Sequence, residues 1–335
     1  VTTTIKDVAA RAGLSVMTVS RVLNGERHVS AQAREKVQAA IEALGYRRNV
    51  FARGLPGARS FLICMPAPEL ISDYLAEVQQ GAVERCRAAG YHLVVQPYDE
   101  GDEVTDAPVT SALAALRPDG FLLAPPMSDN LAALDALERA RTPYARLAPS
   151  VEPARGACVA IDEMEAARAM TAALLDLGHR RIGFVGGPAG HGASAWRLAG
   201  YRRALAERGV ANDPELEAGG DFMFESGEAA GEALLRLAEP PSAIFAGNDD
   251  MALGVMAAAQ RLGLSAPGNL SVAGFDGGEI AELAWPQLTT VRQPVRAMGA
   301  AAAAAIIDMV ETGELTARSQ QLDFTLLMRG STAAL

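Results

Sequence analysis

The chain has 335 residues, half of them hydrophobic, and a formal net charge of −10. That length supports more than one folded unit with its own core, and no apolar run approaches the ~18 residues of a membrane span, so no membrane partner is expected. Cys64, Cys86 and Cys158 lie far apart, with neither CxxC nor zinc spacing. They read as reduced thiols of a cytoplasmic protein that holds no metal.

The charge is unevenly placed. Residues 1–59 carry ten basic groups against four acidic ones, leaving twenty basic and thirty-six acidic groups for the rest. A basic head on an acidic body suggests that only the head approaches a polyanion. The first residues, VTTTIKDVAARAG, have a helical pattern instead of a secretory leader's charged start and apolar core. Thr4 is placed to cap a first helix, along which Ile5, Val8, Ala9 and Ala12 form an apolar stripe that Gly13 ends. Ser15 is placed to cap a second. At 100° per residue, Val19, Val22 and Leu23 cluster on one side of it, while Met17, Ser20 and Arg21 fall on the other with Val16 near the boundary. Ala9, Gly13 and Val19 sit where a helix-turn-helix needs a small residue, a turn and a branched apolar lock. In that motif the start of the second helix faces base edges. Val16 and Met17 suit thymine methyl groups, and the Arg21 fork suits guanine. A third helix, capped by Ser30, has Val37, Ala40, Ile41 and Leu44 as its stripe before Gly45.

The run TIKDVAARAGLSVMTVSRVLNGERHVSAQAREKVQAAIEALGYRRN, Thr4 to Asn49, resembles the DNA-binding headpiece of the lactose-repressor (LacI/GalR) family of bacterial transcriptional regulators almost position by position. The resemblance implies a helix-turn-helix domain over 1–46, with Thr4, Ser15, Val16, Met17, Thr18, Ser20 and Arg21 at the DNA. It also implies phosphate contacts from Asn24, His28, Ser30, Tyr46 and Asn49. NVFARGLPGARS is similar to the family's hinge helix, here 47–59, whose leucine, matched by Leu55, wedges into the minor groove at a central CG step. Gly54 and Pro56 beside it depart from a helix-friendly hinge and weaken it.

From residue 60 strands and helices alternate. FLICMPAP, YHLVVQPY, GFLLAPP and PYARLAPS read as strands separated by helical stretches, and RRIGFVGGP, AIFAGNDD and LSVAGFDG as a second series. This pattern implies an α/β body of two doubly wound parallel-sheet lobes with a ligand between them. LGHRRIGFVGGP, SAWRLAGY, GNDDMALG, GFDG and PQLTTVRQP extend the family likeness, which implies lobes resembling periplasmic sugar-binding proteins. It places lobe 1 at about 60–160 and 292–320, and lobe 2 at about 161–290 and 321–335.

Within the cleft, the Arg197 fork, the Asn248 amide and the Asp276 carboxylate suit the hydroxyls of a polyol. Phe222 matches the position where an aromatic ring flanks the ligand, and Tyr74 and His191 are expected at the cleft edge. Asp249 or Asp250 is expected to cap the helix MALGVMAAAQ, and His179 the helix before it. Ala148 stands where many relatives have an aspartate, with Arg146 nearby.

The loop GGPAGHG lacks the lysine and hydroxyl of a phosphate loop. Neither GxSxG nor HExxH occurs, so no catalytic residue, no metal and no cofactor are expected. The resemblance implies a homodimer on a pseudo-palindromic operator of double-stranded DNA, a repressor of sugar-utilisation genes controlled by a small sugar. A nucleobase-responsive regulator of the same family is the alternative, ahead of a cytosolic sugar-binding protein or enzyme.

Overall fold

A computed structural model describes residues 4–23, 29–44, 59–69, 72–99 and 101–335. It divides into two units, Val1–Ser60 and Phe61–Leu335. Asn24, His28, Tyr46, Asn49 and Leu55, and with them nearly all of the hinge segment, lie outside the described residues.

The first unit contains α1 (Ile5–Ala12), α2 (Val16–Leu23) and α3 (Ala31–Leu44). Thr4 closes a capping box on α1, accepting from the Asp7 amide while the Asp7 carboxylate accepts from the Thr4 amide at 2.7 Å. Gly13 ends the helix at φ 66°, a left-handed turn that glycine adopts without strain. Ser15 Oγ accepts from the Thr18 amide at 3.1 Å, and Ser30 Oγ from the Ala33 amide at 3.3 Å. Val8, Ala9, Ala12, Val19, Val37 and Ala40 make the core, with Ile5, Leu14, Val22, Ile41 and Leu44 packed around it.

The second unit holds two six-stranded sheets. In the first, β1 (Leu62–Pro68), β2 (His92–Tyr98), β3 (Gly120–Leu123), β4 (Tyr144–Leu147), β5 (Ala157–Ala160) and β11 (Ser319–Gln321) stand in the order β11-β5-β4-β3-β1-β2, all parallel. Alternate strand residues feed two layers. Ile63, Met65 and Leu122 pack with α4 (Asp73–Ala88) and α12 (Val295–Thr312), and Cys64, Phe121 and Leu123 pack with α5 (Ala107–Ala115) and α6 (Leu131–Arg139). In the second, β6 (Ile182–Val185), β7 (Glu217–Ala218), β8 (Ala243–Ala246), β9 (Ser271–Asp276), β10 (Thr289–Arg292) and β12 (Thr325–Leu327) stand in the order β12-β10-β9-β8-β6-β7. Its helices are α7 (Glu163–Asp176), α8 (Gly192–Glu207), α9 (Phe224–Leu235), α10 (Asp249–Arg261) and the short α11 (Glu279–Leu283).

One strand departs from the parallel pattern: β12 runs antiparallel to β10. It follows β11 of the other sheet after three residues. Since β11 runs parallel to β5 and leaves that sheet at its carboxyl end, β12 enters the second sheet from the cleft side, opposite to its neighbours. The chain passes between lobes between β5 and α7, between β10 and α12, and between β11 and β12. The lobe limits therefore shift slightly from those drawn on the sequence. Arg292 pairs with Asp276 and Thr325 in the second sheet, and Gln321 pairs with Ala160 in the first.

His179 does not cap the preceding helix with its ring. The buried imidazole reaches Ser242 Oγ at 2.9 Å and Ser271 Oγ at 3.0 Å, and its Nε2 lies 3.2 Å from the Ala333 carbonyl. It ties the C-terminal segment to the start of β9 and to Ser242 just before β8.

Candidate DNA-reading face and effector cleft

On the headpiece the second helix presents the face expected of a base reader. Val16 is 42% exposed and Met17 65%, while Val19 is fully buried in the three-helix core. Arg21 is exposed as well, and Thr18 and Ser20 are half-buried. A plain core role for Val16 is thereby set aside. The hydroxyls of Thr4, Ser15 and Ser30 are engaged in caps, so any phosphate they touch would share them with a helix end.

In the body, a cavity of about 900 Å³ opens between the two lobes at the carboxyl ends of the strands. Tyr74, Tyr98, Pro125 and Ala148 come from the first lobe, and His191, Arg197, Phe222, Asn248, Asp249 and Asp276 from the second. All six residues expected at an effector, Tyr74, His191, Arg197, Phe222, Asn248 and Asp276, line it. The lobes also meet beside it, where a Cβ on Gly192 would lie 2.2 Å from Ser150 Cβ.

Arg197 is the hub of this wall. It rises from α8, is 5% exposed, and lies with its guanidinium carbon 3.7 Å from the Phe275 ring centroid. Nε donates to Glu163 Oε2 at 2.8 Å, Nη1 donates to the Gly247 carbonyl at 2.5 Å, and Nη2 is 3.6 Å from Asp276 Oδ1. Burial disfavours its charge, but the Glu163 and Asp276 carboxylates outweigh that and hold its pKa above the ordinary value. Burial raises the Asp276 carboxyl to about 7, against Arg197 and the Gln293 amide, which donates to it at 2.8 Å. His191 packs edge-on against Phe222 with centroids 5.1 Å apart, and burial, reinforced by Arg197, lowers its pKa to about 4. Its imidazole is neutral at neutral pH.

Asn248 has more than a ligand-facing role. Its Oδ1 accepts from the Met251 amide at 3.0 Å and its Nδ2 donates to the Phe222 carbonyl at 2.8 Å, so it caps α10 and pins the aromatic loop. That corrects the expectation that Asp249 or Asp250 caps this helix. Asp249 instead turns inward, accepting from the amides of Gly277 (2.8 Å) and Gly278 (3.1 Å) and from Thr290 Oγ1 (2.6 Å). Gly274 permits this approach, since a Cβ there would sit 2.4 Å from Asp249 Oδ1. Burial, with Asp276 adding to it, raises the Asp249 carboxyl to about 8.

Arg146 does not fill the gap left at Ala148. Its side chain is fully buried, and its Nε and Nη1 donate to the carbonyls of Ser128 and Glu152 at 2.6 and 2.7 Å. Nη2 reaches Asp129 at 3.2 Å and the Val151 carbonyl at 2.5 Å, so the side chain fixes the loop after β4. Sequence reasoning missed Glu163, the counter-ion of Arg197. Its signal was faint: an acid in the first turn of the helix that follows a lobe crossing.

Comparison with known proteins accords with both regions. A family model described as bacterial regulatory proteins, lacI family, matches residues 4–49, and one for a periplasmic binding protein-like domain matches 171–332. Catabolite control protein A of Priestia megaterium is 34% identical over 98% of this chain and 99% of its own. Among solved structures, the lac repressor dimer bound to operator and the anti-inducer ONPF superposes with a TM-score of 0.85 at 29% identity, covering all of both chains. The complex of the transcriptional regulator CelR with cellobiose gives 0.75 at 31%, over 98% of this chain and 99% of that one. With the helix-turn-helix, the two-lobed body and relatives matched end to end, the chain belongs to the lacI family of bacterial transcriptional regulators.

Proposed function

We propose that the protein is a homodimeric repressor whose affinity for a pseudo-palindromic operator is set by a small sugar bound between the lobes. The observation that carries the effector half is the cavity itself. It draws aromatic walls from both lobes and converges on an arginine, an amide and carboxylates, the mixed donor and acceptor set that hydroxyl groups require. Val16, Met17 and Arg21 of α2 read base edges in each half-site, and Leu55 opens a central CG step. A sugar controls the protein by binding one relative setting of the lobes more tightly than another, since only differential affinity moves an equilibrium. The protein works in the cytoplasm, where the operator is. CelR in complex with cellobiose supports a sugar over a nucleobase.

The experiment is a thermal-shift screen of the full chain against sugars and purines, followed by operator binding with each hit. A ligand at 100 times its Kd stabilises the body by ~2.7 kcal/mol. A sugar that both stabilises the protein and changes operator affinity upholds the reading. A purine that does both replaces the sugar with a nucleobase.

A further inference from the structure

The charges that line the cleft narrow the class of sugar, an inference that rests on the sugar reading above. Eight acidic side chains line the cavity; Asp249 and Asp276 are held at least partly protonated near neutral pH, and the rest include Asp73 and Glu77 of the first lobe and Asp221 and Asp250 of the second. Among the described residues that line it, Arg197 is the one arginine, there is no lysine, and His191 is neutral. The Arg197 charge is already taken by Glu163 and Asp276. Arg292 and Arg296, which act on Glu77 from outside the lining, are paired with Glu282 and Glu84. Among the described residues of the lining, no unpaired cation is left to receive an anionic ligand.

The acids also face each other across the cleft. Asp73 begins α4 of the first lobe and Asp250 lies in the first turn of α10 of the second. Burial raises the Asp250 carboxyl and the Asp73 charge raises it further, so the two sense one another through the cavity. Asn248 Nδ2 donates to the Asp250 carboxyl at 3.5 Å, and the backbone amide of Asp250 itself also supports that carboxyl. On the same wall His191 Nδ1 is buried and has no hydrogen-bond partner among the described residues. Behind Asp276, outside the lining, Gln293 Nε2 donates to that carboxyl.

We infer that the cleft selects against anionic sugars and prefers one bearing a protonated amine, which Asp73 and Asp250 receive from opposite lobes. A phosphate or carboxylate entering this cavity loses its hydration and meets a wall where acids outnumber the one arginine, itself already paired. An ammonium group gains attraction from both lobes at once, which adds to the ligand's differential affinity for the closed setting.

The test is calorimetric titration of the full chain at pH 7 with matched sets built on glucose, galactose and mannose. Each set holds the neutral sugar, its 2-amino-2-deoxy form and its 6-phosphate, and glucuronate and galacturonate are added to the first two. The expected ranking has an amino sugar on the order of tenfold tighter than its neutral parent, with no heat from phosphates or uronates. The double substitution Asp73→Asn and Asp250→Asn should bring the amine-to-neutral ratio towards one. Should that variant misfold, the ranking on the unmodified chain decides alone. A phosphate or uronate that matches its neutral parent overturns the inference and leaves the sugar reading standing, as does an amino sugar no tighter than its parent. Silence from every sugar overturns both.

Discussion

The headpiece and the cleft handle their functional side chains in opposite ways. On α2, Val16 and Met17 stand in solvent and give nothing to the three-helix core that Val19 completes. In the cleft, Arg197, Glu163, Asn248 and Asp249 are buried and already hydrogen-bonded within the protein before any ligand arrives, Arg197 to Glu163, Asn248 to the Met251 amide and Asp249 to the Gly277 amide. A DNA reader can hold its contacts ready on the outside, because the operator supplies the partner surface. The deeply buried charges of a ligand pocket need partners, since an unpaired buried charge costs several kcal/mol, and only the less buried ones can wait for a ligand. Changes in the cleft should therefore act on stability first, and changes on the reading face on DNA alone.

The largest effect is expected at Arg197. Arg197→Ala removes the cation shared by Glu163 and Asp276 and leaves two acids buried without it. Breaking a pair of this kind costs ~3–5 kcal/mol. Urea unfolding of the full chain should show that loss in the transition of the body. A variant as stable as the parent would mean that the cleft is far wetter than its geometry.

Next in size is the pH dependence. Asp249 and Asp276 have native pKa values of about 8 and about 7, both above the ordinary 3.8. The folded state therefore binds protons more tightly than the unfolded chain. Their contribution is complete below about pH 4 and is lost as pH rises through 7 to 8, at up to ~1.4 kcal/mol per unit for each group. Surface acids such as Glu165 and Glu217, lowered by bonds to Arg168 and Arg202, act in the opposite sense as pH falls towards their pKa values. His179 and His191, whose pKa values burial lowers, oppose this slope up to about pH 6.5. Asp250 and Glu77, raised by burial, act with Asp249 and Asp276, so unfolding of the ligand-free chain should grow easier most clearly from about pH 6.5 to 8. Asp276→Asn should flatten that slope by about one proton; an unaltered slope would assign it to other groups.

The same contrast explains which features were readable from sequence. The headpiece was legible because its signals are local. A period of 3.6 separates Val19 from Met17 within one helix, and caps lie three residues from the amides they serve. The rhythm of the body was legible too, as were the arginine, amide and acid of the cleft. Their partners were not. Glu163 is 34 residues from Arg197, and Asp249 is 28 from the Gly277 amide it accepts from, so only the topology brings each pair together. Antiparallel β12 and the strand-bridging His179 were hidden for the same reason: each depends on where the C-terminal segment returns.

On the reading face the effects should be smaller and confined to DNA. Arg21→Ala is expected to cost ~1–3 kcal/mol of operator binding and to relax the preference at one base pair per half-site. Competition between operators differing at single positions would show this. An unchanged preference would remove Arg21 from base readout and leave it at most a phosphate contact.

Met17→Ala tests the contrast at its finest. With the side chain 65% exposed, its truncation should move stability by less than ~0.5 kcal/mol. Its effect should lie in a single apolar contact, and that contact can be deleted from the other side, because uracil differs from thymine only by lacking the C5 methyl group. Parent protein should lose affinity when one operator thymine is replaced by uracil. The Met17→Ala variant, already without its side of the contact, should lose less than the parent at that position. The double-mutant cycle between protein and base then gives a non-zero coupling confined to one base pair. Coupling of zero at every thymine would make Met17 an exposed residue with no part in reading. Coupling that appears with Val16→Ala instead would turn the reading face by one residue around α2, and the headpiece would still keep its base contacts outside the core.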